Sequence, residues 1–346
     1  MDTLKQMGRR VLKWLLWLML AVILFIFVIL CFFSLQAGYR EAKNSAEAAP
    51  SAGKFVQAGD VKVFYQESGR ADAPAVLLVH GTGAWSEIWR ETMTALTKND
   101  FHVIAIDVPP FGYSEKPRGS PAYSRENQAK RIIGVLDALH IERVILVGHS
   151  VGARPTIEAA LEAPHRVQSL ILVDPALGFA ANENDNPHFE QNNPSWIMRT
   201  LFTLHPLRNA MLATYGTNPL STKSLFRSFV SDVSAVTDER VYMLQQPLIV
   251  KDTTRAYGDW LEYLIVSHDA SLASNFENFK NLHIPVLIMW GSKDTVTPLW
   301  QGEKLKQLIP GSKLVVIDRV GHIPYIENAK EFNNALLHFL TRQGGR

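Results

Sequence analysis

The sequence has one cysteine, Cys31, among its 346 residues. A disulfide within the chain is therefore excluded, and cysteine usage gives no information on the redox compartment. Neither sign of charge is in excess, since 35 Lys and Arg stand against 33 Asp and Glu. The net charge is +2, but residues 1–13 alone carry +3, so the remainder offers no basic surface for nucleic acid. The 11 histidines show no metal-ligand spacing, and we expect neither a metal nor another cofactor.

Charged residues are missing altogether from the run 14–35, which is apolar throughout. As a helix these 22 residues are long enough for the ~30 Å hydrocarbon core of a bilayer, because each residue rises ~1.5 Å. A cleaved signal peptide is the alternative, but its apolar part is usually only ~7–15 residues long. The run therefore predicts a single transmembrane helix.

The residues on either side of this run predict its orientation. A basic flank at 1–13 precedes it, and the positive-inside rule keeps such a flank in the cytoplasm. The rest of the chain is then extracytoplasmic, and periplasmic if the source is a bacterium. Residues 36–53 are rich in Ala, Ser and Gly, which predicts a flexible tether between the helix and the folded part.

In the remaining chain, short apolar runs typical of strands alternate with helical patterns. The strand patterns lie at 61–66, 76–79, 103–106, 144–147, 170–173, 286–289 and 314–317, and the helical patterns at 87–98, 125–139, 151–162, 298–308 and 329–340. All strands but the first read as buried on both faces. This alternation predicts an α/β fold with a mostly parallel sheet and helices on both faces. We assign its core to 54–177 and 284–346.

The alternation stops between 178 and 283, where no buried-strand pattern occurs. A polar segment at 182–194 is followed by apolar residues at helical spacing in 196–215 and 221–234. We interpret 178–283 as a helical cap over the carboxyl edge of the sheet, where ligands bind in open α/β folds. An independent interaction domain is the alternative. The strand pattern resumes directly afterwards, which favours the cap.

A G-x-S-x-G motif lies between one of the strand patterns and the helix that follows it. It reads Gly148-His149-Ser150-Val151-Gly152. A strand that turns sharply into a helix lifts the serine hydroxyl clear of the sheet, and glycines prevent collisions at the flanking positions. This context predicts that Ser150 is a nucleophile, although the motif alone is a weak signal.

A serine hydroxyl needs a base to take its proton, and the base needs a carboxylate to orient it. His322 lies in the loop after the last strand pattern, which returns to the edge of the sheet that carries Ser150. Asp294 follows the preceding strand pattern, VLIMWG, and is the favoured carboxylate. Asp174 follows the strand pattern before that one and stays open as the alternative acid.

The negative oxygen of a tetrahedral intermediate needs hydrogen-bond donors. The backbone amide after the nucleophile, at Val151, is the first expected donor. The second is the amide of Thr82, in the turn His80-Gly81-Thr82-Gly83 after an early strand. We expect His80 to brace this turn rather than to react.

These motifs together resemble the α/β-hydrolase superfamily over residues 55–339. The resemblance is carried by the HG-x-G turn, the segment DVPPFGYSEKP, the elbow GHSVG, the loop GSKDTVTP and the loop VGHIPYIE. Pro110 departs from the glycine that this family often has there. The sequence is similar to lipases, esterases and monoacylglycerol lipases, and also to carbon–carbon bond hydrolases. Serine at position 150 argues against the haloalkane dehalogenases and epoxide hydrolases, which use an aspartate.

The resemblance implies a serine hydrolase, and the favoured substrate is a small-molecule or lipid-like carboxylic ester. An apolar acyl or alkyl part is expected because the proposed cap is rich in aromatic residues and the domain is tethered near lipid. The aromatic residues available there are Trp196, Phe202, Phe226, Phe229, Tyr242 and Trp260. Hydrolysis of a carbon–carbon bond, an amide or a thioester by the same residues is an alternative, and so is a non-catalytic binding protein.

Overall fold

The fold is built on one mostly parallel sheet, as the sequence predicts, and the sheet has eight strands in the described residues. The computed structural model describes residues 2–179, 194–267 and 270–343, with the side chains of 2–5, 9 and 343 left out. The strand order is β1-β2-β4-β3-β5-β6-β7-β8. The strands are β1 (Lys54–Ala58), β2 (Val61–Ser68), β3 (Ala75–Val79), β4 (His102–Ile106), β5 (Val144–His149), β6 (Val167–Val173), β7 (Val286–Gly291) and β8 (Lys313–Ile317). Strands β3 to β8 run parallel, and β1 and β2 pair antiparallel at one end.

Helices cover both faces of the sheet. Those of the core are α3 (Arg90–Thr97), α4 (Arg125–Ala138), α5 (Ala153–Glu162), α11 (Trp300–Leu308), α12 (Pro324–Glu327) and α13 (Ala329–Gln343). Side chains alternate between the two faces along each strand, so Leu77 and Leu78 on β3 belong to two different apolar cores. Because both faces are covered, the central strands are apolar at nearly every position, which explains the runs in the sequence.

Two details of the sheet differ from the prediction. Strand β1 was not expected, because its sequence KFVQA has no continuous apolar run and only Ala58 is fully buried. Strand β8 was expected to be buried on both faces, but it is the opposite edge, and Val316 is 41% exposed. An apolar run therefore identifies a strand but does not place it in the middle of the sheet.

Helices also fill the segment between β6 and β7, which we call the insertion. They are α6 (Trp196–Thr203), α7 (His205–Met211), α8 (Pro219–Arg227), α9 (Asp238–Gln245) and α10 (Thr253–Val266). Most of the polar segment predicted at 182–194 lies outside the described residues. A buried ion-pair network joins two of these helices, because Arg208 on α7 contacts Asp259 at 2.8 Å and Glu262 on α10. The boundaries of a separate cap domain stay a prediction.

The N-terminal helix α1 (Asp2–Arg40) is 39 residues long and extends beyond the predicted run at both ends. Its apolar part is exposed, and by length and composition α1 could cross a membrane, although a signal sequence meets the same criterion. Towards its C-terminal end α1 packs against α7 and the turn at 212–216. The helix is therefore attached to the insertion as well as to the chain that follows it.

Residues 36–53 do not form the flexible tether that their composition predicts. The first five continue α1, and a short helix, α2 (Ser45–Ala48), follows. The carboxylate of Glu41 accepts hydrogen bonds from the backbone amide and the hydroxyl of Thr254, at the start of α10. Lys43 pairs with Val250 in an isolated β-bridge. Composition misses this docking because it depends on acceptors and donors supplied by a distant segment.

Candidate active site

Ser150, His322 and Asp294 come together at the carboxyl edge of the sheet. Oγ of Ser150 lies 2.9 Å from Nε2 of His322, and Nδ1 of His322 lies 2.7 Å from Oδ2 of Asp294. All three residues are less than 10% exposed. The loops that carry them follow β5, β7 and β8, so parallel strands place all three at one edge. This is the hydrogen-bonded chain that passes a proton from a serine to an imidazole.

The turn at Ser150 has the strained backbone that the motif predicts. Ser150 has φ +53°, in the left-handed region that side chains rarely adopt. The turn after β3 lies directly against it: a Cβ on Gly152 would sit 2.3 Å from the carbonyl oxygen of His80, and one on Gly81 2.9 Å from Cβ of Ser150. Glycine at both positions therefore allows the loop after β3 and the nucleophile elbow to approach each other.

The carboxylate of Asp294 is held by its own loop. Oδ1 accepts the backbone amides of Val296 and Thr297 at 2.7 and 3.0 Å, and Oδ2 accepts the hydroxyl of Thr297 at 2.6 Å. Burial acts to raise the pKa of Asp294, but the hydrogen bonds and charge of His322 and the bonds from Thr297 hold this pKa below its ordinary value. Asp294 is therefore ionised and directed at the imidazole.

Asp174, the alternative acid, lies beside this pair without a hydrogen bond to His322 in the described part of the chain. Its Oδ1 accepts the backbone amide of Gly291 at 2.8 Å. Complete burial, together with the charge of Asp294, raises the pKa of Asp174 well above its ordinary value. Asp174, Asp294 and His322 each offer one atom that could bind a metal ion, and these three atoms lie within 4.8 Å of one another. Asp294 is already bonded to His322 and Thr297, so hydrogen bonds rather than a metal account for this cluster.

The two expected oxyanion donors lie in the turns that flank the serine hydroxyl. Thr82 and Ser150 both line one cavity, and Val151 follows Ser150 at the start of the turn into α5. Neither the amide of Thr82 nor that of Val151 donates a hydrogen bond to another group in the described ranges. Both donors are consequently available to a ligand oxygen next to the serine hydroxyl.

Sequence reasoning missed the side chains that hold His322 in place. Nε2 of His149 lies 2.8 Å from the backbone oxygen of His322, and the hydroxyl of Tyr325 lies 3.0 Å from Nδ1 of His149. Burial lowers the pKa of His149 well below its ordinary value, so its imidazole is neutral and donates from Nε2. The motif VGHIPYIE contains this tyrosine, but only the packing shows its partner.

The insertion also contacts the histidine loop. The backbone amide of His322 donates to the carbonyl oxygen of Phe229 at 2.8 Å, and the two rings stack with centroids 5.8 Å apart. The carboxylate of Glu327 accepts the amides of Ser231, Asp232 and Gly321 at 2.7 to 2.9 Å. His322 is thus positioned partly by Phe229 and by the segment after it, which belong to none of the motifs named above.

A cavity of about 230 Å³ opens onto Ser150 and His322, and about half of the residues in its wall belong to the insertion, most of them apolar. Of the aromatic residues predicted to be available, Phe226, Phe229 and Trp260 line the cavity. Trp196 and Tyr242 are exposed instead, and Phe202 is not part of the wall. No Lys, Arg, Asp or Glu is among the described residues that line it. The space beside the serine therefore suits an uncharged, apolar group.

His80 braces the turn that carries Thr82. Its Nδ1 lies 2.8 Å from the oxygen of Gly81, and its Nε2 accepts the amide of Val108 at 3.1 Å. The ring is therefore neutral, with its proton on Nδ1. Burial lowers the pKa of His80 from 6.5 to about 4. Between these values the unfolded chain binds a proton at His80 that the folded chain does not.

We predict that His80 makes the fold less stable in acid. The stabilisation is complete above about pH 6.5 and is lost as the pH falls towards 4. His80→Gln keeps an acceptor for Val108 but does not titrate. We expect the unfolding free energy of this variant to depend less on pH. Within this window, its slope should be smaller than that of the unmodified chain by up to about 1.4 kcal/mol per pH unit. Urea unfolding of both proteins in detergent from pH 4 to 7 measures the difference, and equal slopes would contradict it.

Comparisons with known proteins identify the family to which the chain belongs. A family model described as the alpha/beta hydrolase fold matches residues 74–329. A 2-hydroxy-6-oxo-2,4-heptadienoate hydrolase of Pseudomonas putida is 29% identical over 84% of this chain and 97% of its own length. The solved structure of a meta-cleavage product hydrolase from Pseudomonas fluorescens IP01 has a TM-score of 0.66 at 27% identity, covering 84% of this chain and 98% of that one.

One solved structure matches almost the whole chain. A bacterial membrane phospholipase A has a TM-score of 0.64 at 23% identity, and the match covers 98% of this chain and 100% of the other. Since α1 makes up more than a tenth of the chain, the shared fold includes most of this helix. At this identity the likeness concerns the fold alone.

Proposed function

The chain belongs to the α/β hydrolase fold family, and from this premise we propose that it is a serine hydrolase that cleaves a carboxylic ester with an apolar acyl or alkyl part. The family and its relatives make it a hydrolase. The choice of ester rests on a single observation: a 2.9 Å contact joins the hydroxyl of Ser150 to His322 at the wall of an apolar cavity.

The proposed reaction follows from the hydrogen bonds. Oγ of Ser150 attacks the ester carbonyl carbon while Nε2 of His322 takes the hydroxyl proton, and Asp294 stabilises the imidazolium. The amides of Thr82 and Val151 bind the negative oxygen of the tetrahedral intermediate. The C–O bond then breaks, and the leaving alkoxide receives the proton from His322. A water molecule then gives a proton to His322 and attacks the acyl carbon. The bond from this carbon to Oγ of Ser150 breaks, His322 returns the proton to Oγ, and the acid is released.

We further propose that α1 anchors the protein in a membrane. The helix is long and apolar enough for a single span, and the basic flank at 1–13 favours a cytoplasmic N-terminus. The hydrolase part is then extracytoplasmic, in the periplasm of a bacterium. The exposed apolar surface of α1 supports this proposal, since soluble proteins rarely leave such a large patch uncovered.

Carbon–carbon bond hydrolysis is the second candidate, because the Pseudomonas putida relative is named for a dienoate. A dienoate carries a carboxylate, which a binding site normally pairs with a cation or several donors. The described cavity wall has no Lys or Arg to supply that charge. This difference favours the ester. Amide and thioester hydrolysis would use the same residues. A non-catalytic binding protein is distinguished by fluorophosphonate labelling, because it would not react at Ser150.

We predict that activity rises with acyl length until the cavity is filled. On p-nitrophenyl and monoacylglycerol esters, kcat/KM should increase by up to about fourfold per added methylene, because each buried methylene contributes about 0.8 kcal/mol. A 2-hydroxy-6-oxo-dienoate, followed by its loss of absorbance, should not be cleaved at a comparable rate. The opposite order of rates would support carbon–carbon chemistry instead.

A pair of variants on α8 tests whether this cavity holds the acyl chain. Leu225 lines the cavity, whereas Ser224 is exposed on the same helix. Leu225→Trp should shift the best acyl length to shorter chains, and Ser224→Trp should leave it unchanged. The same shift in both variants, or in neither, would place the acyl chain elsewhere.

A further inference from the structure

The insertion exposes large apolar side chains next to α1. Leu204 and Met211 at the two ends of α7 and Tyr215 in the turn at 212–216 are 45–53% exposed. Trp196, Ile197 and Met198 on α6, which packs on α7, are 39–77% exposed. We call these six residues the apolar face. Both α7 and the turn pack directly on α1, so this surface adjoins the proposed membrane helix.

The contact with α1 begins within its apolar run and continues past it to the buried Ala37. One side of the helix is partly covered at Ile29, Leu30, Phe33 and Ser34, all of which precede the end of the run at residue 35. The last seven residues of the run rise about 10 Å along the helix. If 14–35 spans the hydrocarbon core, the parts of the insertion that cover these residues lie at the level of the outer acyl chains.

The side chains of the apolar face are of the kinds found at a membrane interface. Amphipathic elements that lie in the membrane interface bury their apolar side by ~5–10 Å, the same depth as the contact with α1. Tyr and Trp are the residues preferred at that boundary, and Tyr215 and Trp196 belong to the apolar face. Continuity with α1, rather than exposure alone, therefore identifies the lipid bilayer as the partner of this surface.

The same turn forms part of the cavity wall. Leu212 and Gly216 line the cavity, while Tyr215 between them is on the apolar face. Arg40, at the end of α1, donates to the carbonyl oxygen of Leu248, another residue of the wall. The wall of the cavity is thus fixed to the membrane helix from two sides.

We propose that the apolar face lies in the outer leaflet boundary on the domain side of the bilayer, and that the ester substrate enters the cavity from the bilayer. The substrate class is then a long-chain lipid ester rather than a water-soluble one. This inference rests on the proposed hydrolase function and on the membrane anchor, and the depth of the face is measurable without any reaction.

Nitroxide labels on single cysteines in a Cys31→Ser chain, reconstituted in phosphatidylcholine–phosphatidylglycerol vesicles, measure that depth. Met211→Cys and Tyr215→Cys test the face, Phe25→Cys marks the middle of α1, and Val233→Cys is an exposed control away from it. A label in the bilayer collides more with oxygen, and a label in water collides more with a water-soluble nickel chelate. We expect the labels at 211 and 215 to behave like the label at 25 and to favour oxygen. The label at 233 should favour the nickel chelate.

Each other outcome overturns the inference. Labels at 211 and 215 that behave like 233 would place the face in water. Protection from both reagents would show a second protein chain covering it. A water-accessible label at 25 would reject the membrane anchor itself. None of these readings depends on turnover, so an inactive protein would separately reject the proposed function while leaving the depth result intact.

Hydrolysis then tests the route of the substrate. Two carboxylates at the interface, in the double variant Met211→Asp and Tyr215→Asp, should slow hydrolysis of a long-chain ester in vesicles by about tenfold. Neither side chain lines the cavity, so hydrolysis of a soluble short-chain ester should stay unchanged. Val233→Asp is the matched control and should affect neither rate. Equal loss on both substrates, or no loss on vesicles, would show that the substrate arrives through water.

Discussion

Replacing Ser150 with alanine is expected to lower turnover by about 10⁴-fold or more while the chain stays folded. The hydroxyl is the atom that lies 2.9 Å from Nε2 of His322, and the cavity wall offers no described cysteine or lysine to replace it as the nucleophile. Alanine keeps the same backbone restriction at φ +53°, so the elbow itself should not change. Ester turnover and fluorophosphonate labelling measure the loss, and circular dichroism measures the folding.

Ser114→Ala is the matched control for this experiment. Ser114 is also buried, but its hydroxyl accepts the amide of Phe64 at 2.8 Å and donates to the backbone oxygen of Asp107 at 2.6 Å, away from the cavity. Its loss should lower stability and leave labelling per folded molecule intact. A Ser150→Ala protein that is still labelled or active would require another nucleophile and would end the proposed mechanism.

The sheet was predictable because its strands are buried on both faces. Such strands must be apolar at nearly every position, and seven of the eight produce that signal or an alternating one in the sequence. Strand β1 lacks it because most of its side chains are not fully buried. The docking of 36–53 lacks it because Glu41 finds its donor at Thr254, more than 200 residues away. The apolar pattern of a short segment shows whether that segment is buried. It does not show which distant segment the buried residues contact.

The candidate site was predictable to the extent that it depends on strand ends. Ser150, Asp294 and His322 each follow a strand of a parallel sheet, so their loops had to meet at one edge. The support from Phe229 and from Tyr325 through His149 was not predictable, because it depends on how the insertion and the histidine loop pack. The sequence favoured Asp294 but left Asp174 open, and side-chain geometry separates them, since Asp294 is the one that is hydrogen-bonded to His322 in the described residues.

Asp294→Asn is expected to reduce kcat by about 10⁴-fold, as the same change does in other serine triads. Oδ1 accepts two backbone amides, so the amide oxygen of an asparagine would take that position and its NH₂ would face Nδ1 of His322. The imidazole would then carry its proton on Nε2 and could no longer accept the proton of Ser150. Turnover at saturating ester measures this loss, and an unchanged KM would show that the cavity is intact.

Asp174→Asn is the control that decides between the two acids. Burial and the charge of Asp294 raise the pKa of Asp174 and so disfavour its charged form, and asparagine is neutral and of the same shape, so the exchange disturbs the buried charges little. Its Oδ1 acceptor for the amide of Gly291 is kept as well. We therefore expect kcat within about tenfold of the unmodified chain, since no proton is passed through this side chain. If Asp174→Asn is the crippled variant and Asp294→Asn is active, the acid is Asp174, and the 2.7 Å contact between His322 and Asp294 is not the one used in catalysis.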